Sequence, residues 1–149
     1  MANSKIILTF HRDLDINQQI GLKFANIGSS YLIDQKFVWL SNRLGFGQVT
    51  KGTPTANVGE RSAINFVTAY NADWNSNGTY YTITRVLNVV TIEVNYPNIG
   101  FYQFFSITDI NANPTVLNSD VTAVIINNTP NAKKKIILDF KKQLIATKA

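Results

Sequence analysis

Thr55–Val94, TANVGERSAINFVTAYNADWNSNGTYYTITRVLNVVTIEV, reads as one helix followed by one hairpin. Asn57 can accept a hydrogen bond from first-turn amides, and Glu60, three residues on, can reach back to the Asn57 amide as a capping box does. From that start Ala63, Val67, Tyr70 and Trp74 recur at steps of three or four, flanked by Ile64 and Phe66, so one side is apolar and needs cover. Arg61, Asn65, Thr68 and Asn71 take much of the other side. Asn75, Ser76, Asn77 and Gly78 end the helix, because Asn and Gly tolerate the left-handed backbone of C-terminal caps. Tyr80–Arg85 and Val89–Val94 are then dense in Tyr, Thr, Ile and Val, which suit a pleated half-buried surface, and Leu87 with Asn88 sits where the chain reverses. The helix stripe is the natural cover for this hairpin, giving a helix packed on a sheet.

Upstream, Lys5–Phe10, KIILTF, reads as a strand, and Ile20, Leu22 and Phe24 alternate with Gly21, Lys23 and Ala25 as a strand with one buried face does. Tyr31–Ile33 and Lys36–Leu40 make a further β-prone segment. Ser41–Pro54 carries Gly45, Gly47, Gly52 and Pro54 with little periodicity, so a long connection is expected. Leu44, Phe46 and Val49 make it apolar for a solvated loop, which leaves two readings: a contact with another subunit, or an excursion folded over its own core. Downstream, Tyr96, Pro97, Asn98 and Gly100 mark a turn, Phe101–Ile107 an aromatic strand, Asp109–Asp120 a polar connection, and Val121–Ile126 a short apolar strand. Lys135–Phe140, KIILDF, nearly repeats KIILTF; the pair could sit as sheet neighbours, close a barrel, or complete a neighbouring subunit's edge, while the continuation also suits a helix.

The chain of 149 residues is about one domain, 1–149, with a lysine-rich C-terminal segment, 131–149. Hydrophobic residues at 45% and charged ones at 15% argue for a packed core. Cysteine is absent, which removes disulfides, thiolate nucleophiles and sulfur-ligated metals. The apolar run before His11 is too short for a secretion signal, and no later run reaches membrane-spanning length, so no membrane partner is expected. All of the net charge of +5 arises in the last segment, from Lys133, Lys134, Lys135, Lys141, Lys142 and Lys148 against Asp139. The body is formally neutral, which argues against a nucleic-acid face spread over the fold. The lysines protect an edge strand, meet an acidic neighbouring subunit, or form a nucleic-acid arm, in that order of preference.

Catalytic patterns fail on inspection. His11-Arg12-Asp13 spells the start of a kinase catalytic loop without the Gly-rich loop or the magnesium-binding companions, and reads as a turn. Asp13, Asp15 and Asn17 begin like a calcium loop, but Gln18 stands where Gly is needed and Phe24 where the bidentate Glu belongs. His11 is the sole histidine, so zinc sites built on several imidazoles are excluded. Glu60 reads as a cap, and Glu93 sits in a strand with no nominated partner carboxylate. Tyr80, Tyr81, Phe101, Tyr102, Phe104 and Phe105 could stack on sugars or bases, with core packing the simpler use for most.

AINFVTAYNAD followed by YTITRVLNVVTIEV resembles a helix-then-hairpin unit of tailed-bacteriophage virion and tail structural proteins, over about a quarter of the chain, with Leu87 departing from the small turn residue usual there. That resemblance implies assembly through β-rich faces and flexible loops, without a catalytic site. The expectations are therefore an α+β fold, mainly antiparallel β in a sandwich or partial barrel with one packed helix. The expected function is a non-enzymatic virion subunit of tail or connector, made in the host cytoplasm and associating with itself and other virion proteins. Its contacts are assigned to Leu44, Phe46, Val49, Lys133, Lys134, Lys135, Lys141, Lys142 and the terminal strands, with no cofactor or metal. The alternative is a carbohydrate- or surface-binding β-sandwich module.

Overall fold

A computed structural model describes residues 3–26, 32–95, 99–107 and 119–127, with side chains of residues 24–26, 32–33 and 99–107 outside that description. Within it, eight strands and one helix follow in the order β1 (Lys5–Phe10), β2 (Gln19–Asn26), β3 (Leu32–Leu40), β4 (Gln48–Thr50), α1 (Glu60–Trp74), β5 (Tyr81–Val86), β6 (Val89–Val94), β7 (Ile99–Ile107) and β8 (Val121–Ile126). They form two four-stranded sheets, β5-β6-β1-β8 and β4-β3-β2-β7, in which every pairing is antiparallel except β3 with β4. The expected α+β class, dominated by antiparallel β in a sandwich-like arrangement, is what the chain adopts.

Alternation in sequence becomes alternation in burial. Ile6, Leu8 and Phe10 of β1 are wholly buried, and so are Ile20 and Leu22 of β2, Phe37 and Trp39 of β3 and Ile92 of β6. Helix α1 fills the side of the sandwich between β4 and β5, packing against β1, β4, β5 and β6, while β7 and β8 approach each other at the other side. Phe66 is the helix residue at the centre: its ring lies 5.7 Å from Phe10 of the first sheet and 4.9 Å from Phe37 of the second, and it stacks on Trp39. The buried set is Ser62, Ala63, Phe66, Ala69 and Tyr70, with Val67 and Trp74 only partly buried, so the stripe is rotated toward Phe66 relative to the sequence reading. A helix wedged between two sheets buries a wider arc than one laid on a single face, and Ala63 and Ala69 let the flanking strands come close.

The two sheet edges beside the helix are covered by it. At β5, the Asn75 side chain takes the place of a neighbouring strand: its amide nitrogen donates to the Tyr81 carbonyl at 3.0 Å and its oxygen accepts from the Tyr81 N–H at 3.1 Å. At β4, Asn65 Nδ2 donates to the Thr50 carbonyl at 2.7 Å. Covering an edge in this way removes a template for indiscriminate pairing. β1 is interior, with β6 on one side and β8 on the other, so KIILTF has no free edge to offer a neighbour. KIILDF itself lies outside the described residues.

Two local expectations change. The capping box at Asn57 does not form: the helix starts at Glu60 behind Gly59, with φ 80° and no side-chain cap bond at that position. Asn57 Nδ2 instead donates to Glu60 Oε1 at 3.0 Å, which holds the Glu60 carboxyl below its ordinary range. Glycine is required at position 59, because a Cβ there would lie 1.9 Å from the Phe10 carbonyl oxygen. The first turn is capped from a distance: Asp13 Oδ1 accepts from the Ser62 N–H at 2.9 Å, and Ser62 Oγ accepts from the Leu14 N–H at 2.8 Å. A carboxylate there also meets the positive end of the helix dipole. Second, the connection 41–54 holds β4, which runs parallel to β3 after a return shorter than the dozen or so residues such pairs usually need. The hairpin turn is Leu87-Asn88 as expected, with Leu87 at φ 53°.

Candidate functional site

The return between β3 and β4 is held by one buried carboxylate. Asp73, whose side chain is 1% exposed, receives both terminal nitrogens of Arg43 and the Gly47 N–H, the latter at 2.8 Å. Arg43 Nη1 also donates to the Gln48 carbonyl, and the Arg43 and Leu44 amides donate to Thr50 Oγ1 and Gln48 Oε1. A bidentate guanidinium fixes both position and orientation. On this base Leu44 is 87% exposed and Phe46 64% exposed, Phe46 resting edge-on against Trp74 with ring centroids 5.2 Å apart. Val49 is different: it lies in β4 with its side chain wholly in the core, so of the three apolar loop residues only Leu44 and Phe46 are open to a partner. One end of the loop therefore folds over the chain's own core and the other projects from it.

Between that loop and the outer face of the second sheet lies an open groove of about 440 Å³ lined by Gln19, Asp34, Lys36, Phe46 and Trp74, among others. Asp34 also meets Lys23 at 3.5 Å. The Trp74 indole nitrogen is buried without a hydrogen-bond partner. Two aromatic rings beside an amide, a carboxylate and an ammonium can hold a polar ligand by stacking and hydrogen bonding.

The His11–Gln18 turn is organised by Arg12. Its guanidinium meets Asp120 at 2.7 Å, Gln18 Oε1 at 3.0 Å, the Asp13 carbonyl at 2.7 Å and Asp15 at 3.5 Å. The hydrogen bond to Asp120, opposed by burial and helped by the charges of Asp120, Asp15 and Asp13, raises its pKa above the usual arginine value. Asp15 also pairs with Lys51 at 3.3 Å, and His11 Nε2 lies 3.0 Å from Thr122 Oγ1. The carboxylates that resemble a calcium loop thus cap a helix and balance cations. Among the described residues no group of three or more His, Asp or Glu is placed to hold a metal ion.

Inside the sandwich, Gln35 of β3 joins two phenols. Tyr70 donates to Gln35 Oε1 at 2.7 Å, and Gln35 Nε2 donates to the Tyr81 oxygen at 3.1 Å. Burial pushes Tyr81 up to about 12 and Tyr70 well above the usual tyrosine range, so both stay protonated at neutral pH. Of the hairpin tyrosines, Tyr81 is core and Tyr80 is half exposed. Lys133, Lys134, Lys135, Lys141 and Lys142 lie outside the described residues. The Arg43–Asp73 pair carries no sequence signal, being thirty residues apart with nothing in either neighbourhood to nominate the other. No helix among the described residues is long and apolar enough to cross a membrane. No protein-family model, curated protein or solved structure matches the chain.

Proposed function

We propose that this chain is a non-enzymatic structural subunit that associates with copies of itself, of the virion type that the helix-and-hairpin unit at 55–94 resembles. The observation that carries the reading is the loop at 41–47. Two large apolar side chains, Leu44 and Phe46, project into solvent from a return held by a buried ion pair, an arrangement that lowers the entropy lost when a partner covers them. Single exposed apolar residues are ordinary on a protein surface, but a rigidly mounted adjacent pair is a contact point. Light scattering and negative-stain imaging of the purified chain test this. Rings, tubes or a defined oligomer are expected, weakened in a Leu44→Ser/Phe46→Ser variant; a monodisperse monomer at high concentration contradicts the reading.

The groove beside the same loop favours a second reading, a carbohydrate-binding module in which Phe46 and Trp74 stack on a sugar and Gln19, Asp34 and Lys36 hydrogen-bond its hydroxyls. A glycan array should then give a ligand whose binding is lost in Phe46→Ala, and an array without a positive spot removes this reading.

A further inference from the structure

The outward positions of the first sheet form three cross-strand rows: Thr82-Glu93-Lys5-Ile126, Thr84-Thr91-Ile7-Val124 and Val86-Val89-Thr9-Thr122. Among them Val86 is 72% and Val124 55% exposed. Only Lys5 and Glu93 carry charge, they have opposite signs, and they sit side by side on the central strands. The remaining positions divide evenly between Thr and aliphatic residues.

We infer that this face is where two copies of the chain pack against each other about a two-fold axis running along the strands between β1 and β6. The inference rests on the reading of the chain as a self-associating subunit and names the surface. Such an axis lays β1 of one copy over β6 of the other and β8 over β5. Every row then becomes self-complementary. Lys5 lies over Glu93 of the other copy, and Ile7, Val124, Ile126, Val86 and Val89 lie over Thr91, Thr84, Thr82, Thr122 and Thr9 respectively. Each aliphatic side chain meets a threonine, which offers it a methyl group, the Thr82 and Thr122 hydroxyls already being engaged within the chain by Asn95 and His11, and both charges find opposite partners twice over. An isologous contact requires this property of a surface, and aligned face-to-face packing is one of the ordinary ways two sheets meet. Strand and residue spacings give a face of roughly 400 Å², which places the pair among weak, concentration-dependent contacts.

Sedimentation velocity across a concentration series tests it, using wild type, Lys5→Glu, Glu93→Lys and an equimolar mixture of the two variants. Each variant alone sets like charges across the axis and should need about tenfold or more higher concentration to pair. The mixture restores opposite charges between copies while the neighbouring pair within each chain stays like-charged, so recovered pairing reports contact between copies rather than repair of the fold. Thr84→Lys, which sets an ammonium against Val124 of the other copy, should lose pairing with an unchanged circular dichroism spectrum. A wild type that associates while both charge variants associate equally well, or a mixture that behaves like its parents, overturns this face and leaves self-association standing. A wild type that stays monomeric overturns both.

Discussion

On the outer face of the second sheet Lys23 pairs with Asp34 across β2 and β3, Gln19, Lys36, Gln48 and Thr50 add polar groups among the described side chains, and Val38 and Leu40 are its aliphatic members. The outer face of the first sheet has the same alternation and a different content: Thr, Val and Ile with one Lys and one Glu. Inward, the sheets are alike, contributing Ile6, Leu8 and Phe10 from one and Ile20, Leu22, Phe37 and Trp39 from the other. Alternation says which residues leave the core, and it does not say that they go to water. Thr and Val satisfy strand propensity on either side of a sheet, so the proposed contact face stands out only through the register, which sets two charges, Lys5 and Glu93, among its outward positions against Lys23, Asp34 and Lys36 on the other face.

The comparison can be broken first at Asp73, which anchors the loop bordering the second sheet's outer face. Asp73→Ala leaves Arg43 and the Gly47 N–H without their partner and should cost about 3 kcal/mol, read as a lower urea midpoint, with assembly through Leu44 and Phe46 weakened in parallel. If the loop stays in place and stability is unchanged, the rigid-mount argument fails. The second test addresses what joins the sheets. Tyr70 and Tyr81 keep their protons in the fold where an unfolded chain's tyrosines lose theirs, so above about pH 10 the folded state binds more protons and stability falls. That loss continues as the pH rises toward the Tyr81 value of about 12. For Tyr81 alone it amounts to about 2–3 kcal/mol. Melting temperatures between pH 8 and 12 should drop steeply in wild type and less so in Tyr81→Phe; parallel curves would mean that the Tyr81 phenol is not held protonated by burial between the sheets. The smallest effect sharpens the first face. Leu87→Gly relieves a left-handed non-glycine residue at the hairpin tip and should add about 1 kcal/mol, seen as slower amide exchange across β5 and β6, whereas faster exchange would show that Leu87 stabilises the turn by packing.

Much of the scaffold was legible because its signals are local. KIILTF, the hairpin around Leu87-Asn88, the 121–126 strand and the helix stop at Asn75 fall where composition and period place them. The helix start was not, because its cap, Asp13, lies 49 residues from Ser62 and is brought there by β1 and the Arg12 turn. β4 gives no signal because three residues carry no period, so Val49 reads in sequence as a loop contact and is core in the structure. Phe66 looked like a flank because a helical wheel cannot show that α1 touches two sheets. For the candidate site, Leu44 and Phe46 stand out in sequence as apolar residues in a Gly-rich connection but with two readings, outward or over the core, while the Asp73 anchor and the row complementarity of the outer face depend on pairings that only the folded register supplies.

The central claim, that this chain acts by touching copies of itself, is tested most directly by sedimentation equilibrium of the wild-type chain over a wide concentration range. The weight-average mass should rise from that of one chain toward two chains or more as concentration increases. A mass fixed at one chain throughout contradicts it.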